Sequence, residues 1–406
     1  LIFSIFYADA QVRSFRFTAN EEMLYLIDTN TLKLTNKLYP TVDQGDLNIY
    51  GFEENEIPVY ADSVYAYRLS ILESEIPMDY NEYVRRYIDM YTLKRRKLVS
   101  RMLTWSQYYF PDFEAALDKA NMPVELKYMA VIESALNPNA VSPVGAAGMW
   151  QFMPATGRMY GLKTGSQYDE RRDVPKSTEA AIKYLQNSYR IYGDWLLVIA
   201  SYNCGPGNVN KAIKRAGGIK NFWAIQAYLP AETRGYVPAF IAAAYAMTYA
   251  SAHNIYPDNN QEIVYFTDTV QVDNRYNLGV LAADLGLSLE DIRKLNPSLR
   301  TNNIPFIPGG ISLHLPYNKS MALTEMLSDT AYKYNADRSL MALHGNKLPQ
   351  QHISNKSAST IYTVRSGDNL GAIAKRYGVS VAEIKKWNKL SNNNIAAGKK
   401  LIVRRG

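Results

Sequence analysis

Apolar positions along this chain change their spacing three times, and each change marks a boundary. The first run, Leu1-Ile2-Phe3-Ser4-Ile5-Phe6-Tyr7, gives way to Ala8-Asp9-Ala10. An apolar stretch closed by a small-x-small triplet is the pattern of a secretory h-region and its cleavage site. Residues 1–10 are therefore expected to be a signal-peptide remnant of an exported protein, with an apolar amino-terminal strand as the alternative. Gln11 follows the triplet, so no lipid anchor is expected at that point. Residues 11–78 show no clear periodicity and many Asn, Asp and Thr, and read as an extended amino-terminal lead-in. From Asp79 to about residue 255 the spacing is helical. Val84, Tyr87, Ile88 and Tyr91 share one face of a helix predicted over Tyr83–Arg101. Further helices are expected at Phe110–Ala120, between Pro123 and Pro138, and at Ser177–Tyr192, Trp195–Tyr202 and Tyr236–Ala250.

Beyond Ile263 an internal repeat appears at an offset of 92, from Leu278-Gly279-Val280-Leu281-Ala282 to Leu370-Gly371-Ala372-Ile373-Ala374. The same offset relates Gly286-Leu287-Ser288 to Gly378-Val379-Ser380, and Ile292-Arg293-Lys294-Leu295-Asn296 to Ile384-Lys385-Lys386-Trp387-Asn388. Strand-like runs flank each copy, so each is expected to fold as βααβ. The copies span 262–317 and 360–404, and the polar segment 318–359 between them reads as a linker.

Composition narrows the chemistry. One Cys excludes an internal disulfide framework. The four histidines, His253, His314, His344 and His352, are remote in sequence from the candidate acid described below, and no cluster has metal-ligand spacing. A Ser-His-Asp or Cys-His nucleophile is unsupported, and neither a metal nor a cofactor is expected. After the first segment no apolar run approaches the roughly 20 residues of a membrane-spanning helix. The net charge is +7, yet Ile361–Gly406 alone holds 10 Lys/Arg against 2 Asp/Glu. A small basic module suits an anionic polymer, and both nucleic acid and cell wall qualify.

The candidate chemistry centres on Glu133, a single carboxylate within Tyr128-Met129-Ala130-Val131-Ile132-Glu133-Ser134-Ala135-Leu136. Burial disfavours the charged form and raises a carboxyl pKa toward that of a general acid. A buried Glu satisfied by structural hydrogen bonds is the competing reading. Three clusters accompany it: the Gly-rich, then bulky Gly145-Ala146-Ala147-Gly148-Met149-Trp150-Gln151-Phe152-Met153-Pro154, the turn-forming Ser201-Tyr202-Asn203-Cys204-Gly205-Pro206-Gly207, and Glu232-Thr233-Arg234-Gly235-Tyr236. Small residues admit a ligand close to the backbone, and aromatic and amide side chains suit sugars. Each cluster alone also reads as a cap or turn. Asp169, Glu170 and Asp173 lie in a polar, Arg-flanked stretch and are expected to be a solvated loop.

In their order and spacing these clusters resemble the lytic transglycosylases of glycoside hydrolase family 23, a lysozyme-like superfamily, and within it the membrane-bound lytic murein transglycosylase D group. The family's Glu-Ser pair matches Glu133-Ser134, its Gly-Leu-Met-Gln element matches Gly148-Met149-Trp150-Gln151, its Ala-Tyr-Asn element matches Ser201-Tyr202-Asn203, and its late cleft tyrosine matches Tyr236. The two repeats resemble LysM glycan-binding modules. The second carries Gly367-Asp368-Asn369 in the expected place, whereas the first has Arg275 and Tyr276 where Gly-Asp is usual. The resemblance implies a mainly α, lysozyme-like SLT catalytic domain at 79–255 followed by two small α+β modules. It implies cleavage of the MurNAc-β-1,4-GlcNAc bond of peptidoglycan to a 1,6-anhydro-MurNAc end, with Glu133 as single acid and base. Ser134, Met149, Gln151, Tyr202, Asn203 and Tyr236 would bind substrate, and Gly367, Asp368 and Asn369 would bind glycan. A monomer in the bacterial cell envelope, periplasmic or outer-membrane-associated, without nucleic acid as partner, is the matching expectation. The alternatives are a lysozyme-type muramidase using water and a non-catalytic wall-binding protein.

Overall fold

Local signals in the sequence account for where each helix begins and ends. The computed structural model describes residues 48–258, 267–329, 360–364, 367–377, 379–390 and 392–404. The expected signal remnant, most of the lead-in, strand positions 263–266 and the linker over 330–359 lie outside the described residues. The chain divides after Leu343 into two compact units.

In the first unit, α1 (Asp62–Ser70) and α2 (Glu82–Asp89) precede a π-helical turn, Met90–Lys94, and the long α3 (Arg96–Lys119). Asn81 starts α2 by accepting from the Tyr83 and Val84 amides. The single helix expected over Tyr83–Arg101 is thus interrupted, with the Arg95 amide reaching back to the Met90 carbonyl at 2.8 Å. Conversely, the helix expected at Phe110–Ala120 is continuous with the residues before it, with Pro111 inside α3. Burial of Tyr109, Phe113 and Leu117 on one face offsets the lost backbone bond.

The short α4 (Tyr128–Ser134) carries Glu133, and every residue from Met129 to Ser134 is buried. It stops before Pro138 because Ala135 and Leu136 adopt left-handed φ of 52° and 61°. There follow α5 (Pro154–Met159), α6 (Val174–Tyr192), α7 (Trp195–Cys204), α8 (Pro206–Arg215), α9 (Phe222–Ile225) and α10 (Ala231–Thr248). Asp173, not Ser177, caps α6. Helix α10 packs against α2, α4 and α7 and is the central strut of the domain.

The lead-in is not loose throughout. Tyr65 is fully buried in the helical core, Tyr60 Oη donates to the Ala252 carbonyl at 2.6 Å, and Arg68 lies 4.2 Å over the Tyr60 ring. His253, buried between Tyr65 and Tyr245, has its pKa pushed down to about 3 by desolvation and stays neutral. The core therefore recruits chain upstream of residue 79.

The first repeat pairs β1 (Thr267–Val272) antiparallel with β4 (Ile311–Pro316), Val270 opposite Leu313. A minor pair, β2 (Tyr276–Asn277) with β3 (Asn303–Ile304), and helices α11 (Leu278–Asp284) and α12 (Leu289–Leu295) lie between them. The expected linker begins instead as a helix, α13 (Tyr317–Ser328), which buries Leu323 in the repeat's core and packs on both β1 and β4.

The second unit repeats the plan with β5 (Thr360–Thr363), α14 (Leu370–Tyr377), α15 (Val381–Asn388) and β6 (Lys400–Arg404). The repeat extends to hydrogen bonding. Asn296 donates to the Ile292 and His314 carbonyls, both at 2.8 Å, and accepts from the His314 amide at 2.7 Å. Asn388 makes the same three bonds with Ile384 and Ile402. In both copies an asparagine pins the second helix to the last strand.

Candidate active site

Segments from across the domain converge on a cleft of about 420 Å³. Helix α4 brings Glu133 and Ile132, the loop after it brings Gln151, Phe152 and Met153, the end of α7 brings Tyr202 and Asn203, and the first turns of α10 bring Glu232 and Tyr236. Glu133 is 8 % exposed. Desolvation pushes its pKa up to about 8, and the negative charge of Glu232 adds to the rise. Tyr236 opposes both by donating its hydroxyl to Glu133 Oε1. The Tyr236 hydroxyl is itself held well above its usual range, by burial and by the Glu133 charge. At neutral pH the site therefore holds a protonated carboxyl facing a cleft, with a phenol fixing its orientation.

The cleft wall formed by residues 145–153 has little regular structure. Gly145, Gly148 and Gln151 all have positive φ, and isolated bridges tie Ala147 to Val141 and to Phe152. Gly148 has a second reason to be glycine, because a Cβ there would lie 1.7 Å from the Arg171 carbonyl oxygen. Gln151 donates its amide to the Gly148 carbonyl at 2.7 Å and the Ala140 carbonyl at 3.3 Å, which braces the loop from inside. Tyr202 Oη donates to the Trp150 carbonyl at 2.8 Å, while the Trp150 indole is buried and donates to Thr178 Oγ1 at 2.9 Å. Asn203 Oδ1 accepts from Thr233 Oγ1 at 2.7 Å and ties α7 to α10.

Of the residues expected to contact substrate, Gln151, Tyr202, Asn203 and Tyr236 share the cleft with Glu133. Ser134 and Met149 do not. Both are fully buried behind the wall, where Ser134 Oγ donates to the Met149 carbonyl at 2.9 Å and to the Ala130 carbonyl at 3.1 Å. Ser134 faces inward because α4 turns that side to the core just before the left-handed reversal. The expectation that Asp169, Glu170 and Asp173 form a solvated loop is also corrected. All three are at most 3 % exposed. Arg171 pairs with Asp169 at 2.7 Å and Lys176 with Glu170 at 2.6 Å, so internal cations draw the stretch inward. None of the three lines the cleft.

Glu232 is the functional candidate that sequence reasoning passed over, although a signal was present. It stands four positions before Tyr236 on a helix, a spacing that places two side chains on one face. In the second repeat, Gly367 takes a left-handed φ of 89°, Asp368 accepts from Tyr362 Oη at 2.6 Å, and Asn369 caps α14 through the Ala372 amide at 2.9 Å. The trio thus builds the turn that opens the helix.

The helical domain that sets this buried glutamate between a glycine-rich loop and a tyrosine of a long apolar helix is of the transglycosylase SLT class. The transglycosylase SLT domain matches residues 111–224, the LysM-like domain of lytic transglycosylase MltD matches 266–332, and the LysM domain matches 362–404. The chain is 31 % identical over 330 residues to membrane-bound lytic murein transglycosylase D of Escherichia coli (strain K12), covering 80 % of this chain and 70 % of the relative. It belongs to the membrane-bound lytic murein transglycosylase D family. The soluble lytic murein transglycosylase of Escherichia coli (strain K12) is 34 % identical over 116 residues, 27 % of this chain and 18 % of that one. Among solved structures, the 70-kDa soluble lytic transglycosylase from Escherichia coli aligns at 19 % identity over 61 % of this chain and 45 % of that one, with a TM-score of 0.32.

Proposed function

We propose that Glu133 is the single acid and base of a reaction that cuts the β-1,4 bond between N-acetylmuramic acid and N-acetylglucosamine in peptidoglycan and closes a 1,6-anhydro ring. The observation that carries this reading is the burial of Glu133, whose pKa of about 8 keeps its proton at neutral pH. The Glu133 proton goes to the glycosidic oxygen as the C1–O bond breaks. The C6 hydroxyl of the same muramic acid then attacks C1, and the Glu133 carboxylate takes the hydroxyl proton. Atoms balance without water, and the carboxyl returns to its protonated form. Positioning of the C6 hydroxyl in the cleft replaces an enzymic nucleophile.

Most glycosidases use two carboxylates, and Glu232 lines the same cleft. That placement supports a second reading, in which Glu232 activates water and the product is a reducing muramic acid. Mass analysis of products from purified peptidoglycan separates the two, because the anhydro product is lighter by one water. Its dominance in the wild type, retained in Glu232→Gln, supports the first reading. A reducing end lost in Glu232→Gln overturns it.

The second repeat supplies a separate glycan-binding module through Gly367, Asp368 and Asn369. No described helix is long and apolar enough to cross a membrane. We place the protein, exported and monomeric, in the cell envelope at its polymeric substrate. Light scattering of the purified chain tests the monomer.

A further inference from the structure

The first repeat meets the catalytic domain along a strand-like seam. Leu299 bridges to Tyr168, the Asp169 amide donates to the Ser298 carbonyl at 2.9 Å, and the Arg300 amide donates to the Gln167 carbonyl at 2.8 Å. Ser298 and Leu299 are at most 3 % exposed, and Tyr168 is part of the repeat's own apolar core. The seam continues directly into the cleft wall. Asp169 holds Arg171 with both carboxylate oxygens, at 3.0 and 2.7 Å. Arg171 Nη1 donates in turn to the carbonyls of Gly145, at 2.7 Å, and Phe152, at 2.8 Å, toward the two ends of the loop that carries Gln151.

We infer that the first repeat is a brace for the catalytic cleft. Its segment 298–300 holds the wall of residues 145–153 through Asp169 and Arg171, which act as positioning residues. The wall needs an external clamp because it lacks a ladder of its own. Buried peptide groups must find partners, and in this loop several carbonyls, those of Gly145, Gly148, Trp150 and Phe152, find them in side chains. The guanidinium suits this task, since its planar fork serves a carboxylate and carbonyls at once. A repeat that resembles a glycan-binding module thereby becomes a working part of the catalytic unit.

The test compares full-length Leu299→Ala and Arg171→Lys with the wild type by hydrogen exchange and by kinetics on soluble glycan fragments. The probes are the amides of Ala147 and Gly148, which donate to the Phe152 and Ala140 carbonyls at 3.1 and 2.9 Å. Expected is exchange at least tenfold faster at these amides in both variants. Protection should be unchanged in α8, which packs on α7 and α9. The kcat/KM should fall about tenfold or more, as misplacement of a cleft wall implies. KM should take a share of that fall, and the pH of the Glu133 limb should stay in place, because Tyr236 and Glu232 sit on α10. Unchanged protection of the loop in Leu299→Ala overturns the brace. Equal acceleration in the loop and α8 also overturns it, since that reports global loosening. The kinetic arm rests on the reading of the cleft as glycan-cleaving. A wild type inactive on glycan would sink that reading, while the exchange arm would still decide the brace.

Discussion

At the residue scale, the proposed chemistry rests on one carboxyl whose folded pKa is raised. Between the ordinary glutamate value and about 8, the folded protein keeps a proton on Glu133 that the unfolded chain releases. Folding stability therefore declines as pH rises through this window, at up to about 1.4 kcal/mol per unit. Glu133→Gln should flatten that slope and lower the rate by about 10²–10⁴, the usual contribution of a general acid. Melting curves from pH 5 to 9, read beside turnover, check both halves. A variant with near-normal rate would remove Glu133 from the mechanism. Tyr236→Phe acts in a different way. The lost hydrogen bond had favoured the carboxylate, so the Glu133 pKa should climb further and the alkaline limb of the rate profile should move up. The rate itself should drop because the carboxyl loses its orientation. An unmoved limb with lowered melting would make Tyr236 a core residue only.

The element scale shows how the wall is shaped. Gly148 combines a φ of 84° with backbone contact against Arg171. Gly148→Ala should cost about 3 kcal/mol or more from strain and overlap together, and activity should fall with it. Thermal melting and turnover at low temperature check this, and a variant of wild-type stability would refute the close approach. The same scale holds most of the differences from sequence expectation. Phe110–Ala120 reads as a helix separate from the one before it, but tertiary burial on either side of Pro111 keeps α3 continuous. The acidic stretch after Gly165 reads as solvated because it is dense in charge, whereas ion pairs with Arg171 and Lys176 neutralise those charges and let the fold bury them. Ser134 and Met149 share motifs with cleft residues and yet point inward, since a motif specifies neighbours along the chain and not the direction each side chain takes.

At the scale of the whole molecule, the two repeats differ in their relation to the rest. The first shares a unit with the catalytic domain, and the second forms its own. Deleting residues 344–406 should therefore weaken retention on insoluble peptidoglycan while leaving cleavage of short soluble glycans intact. Tethering raises local concentration at the polymer and adds no contact at the scissile bond. Retention should fall with salt to the extent that the basic charge of the module contributes. Pull-down on sacculi, paired with a soluble-substrate assay, checks this. Loss of soluble activity in the truncated chain would place the module in the active site.

What the sequence alone determined is what short-range pattern encodes: the helical class of the first domain, the βααβ plan repeated at an offset of 92, and the burial of Glu133 in an apolar helix. Periods of 3.6 and 2 are written into neighbouring residues, and a lone carboxylate among them announces its own desolvation. The family resemblance brings Tyr236 to the same site, but only the tertiary structure decided which atoms meet that carboxylate. Tyr236 lies 103 positions away in the chain, Glu232 enters the cleft beside it, and Arg171 clamps the wall from a stretch that looks like surface. Such pairings depend on how α4, α10 and the first repeat pack against one another. That packing follows from burying apolar faces across the whole domain, so no local window of sequence contains it.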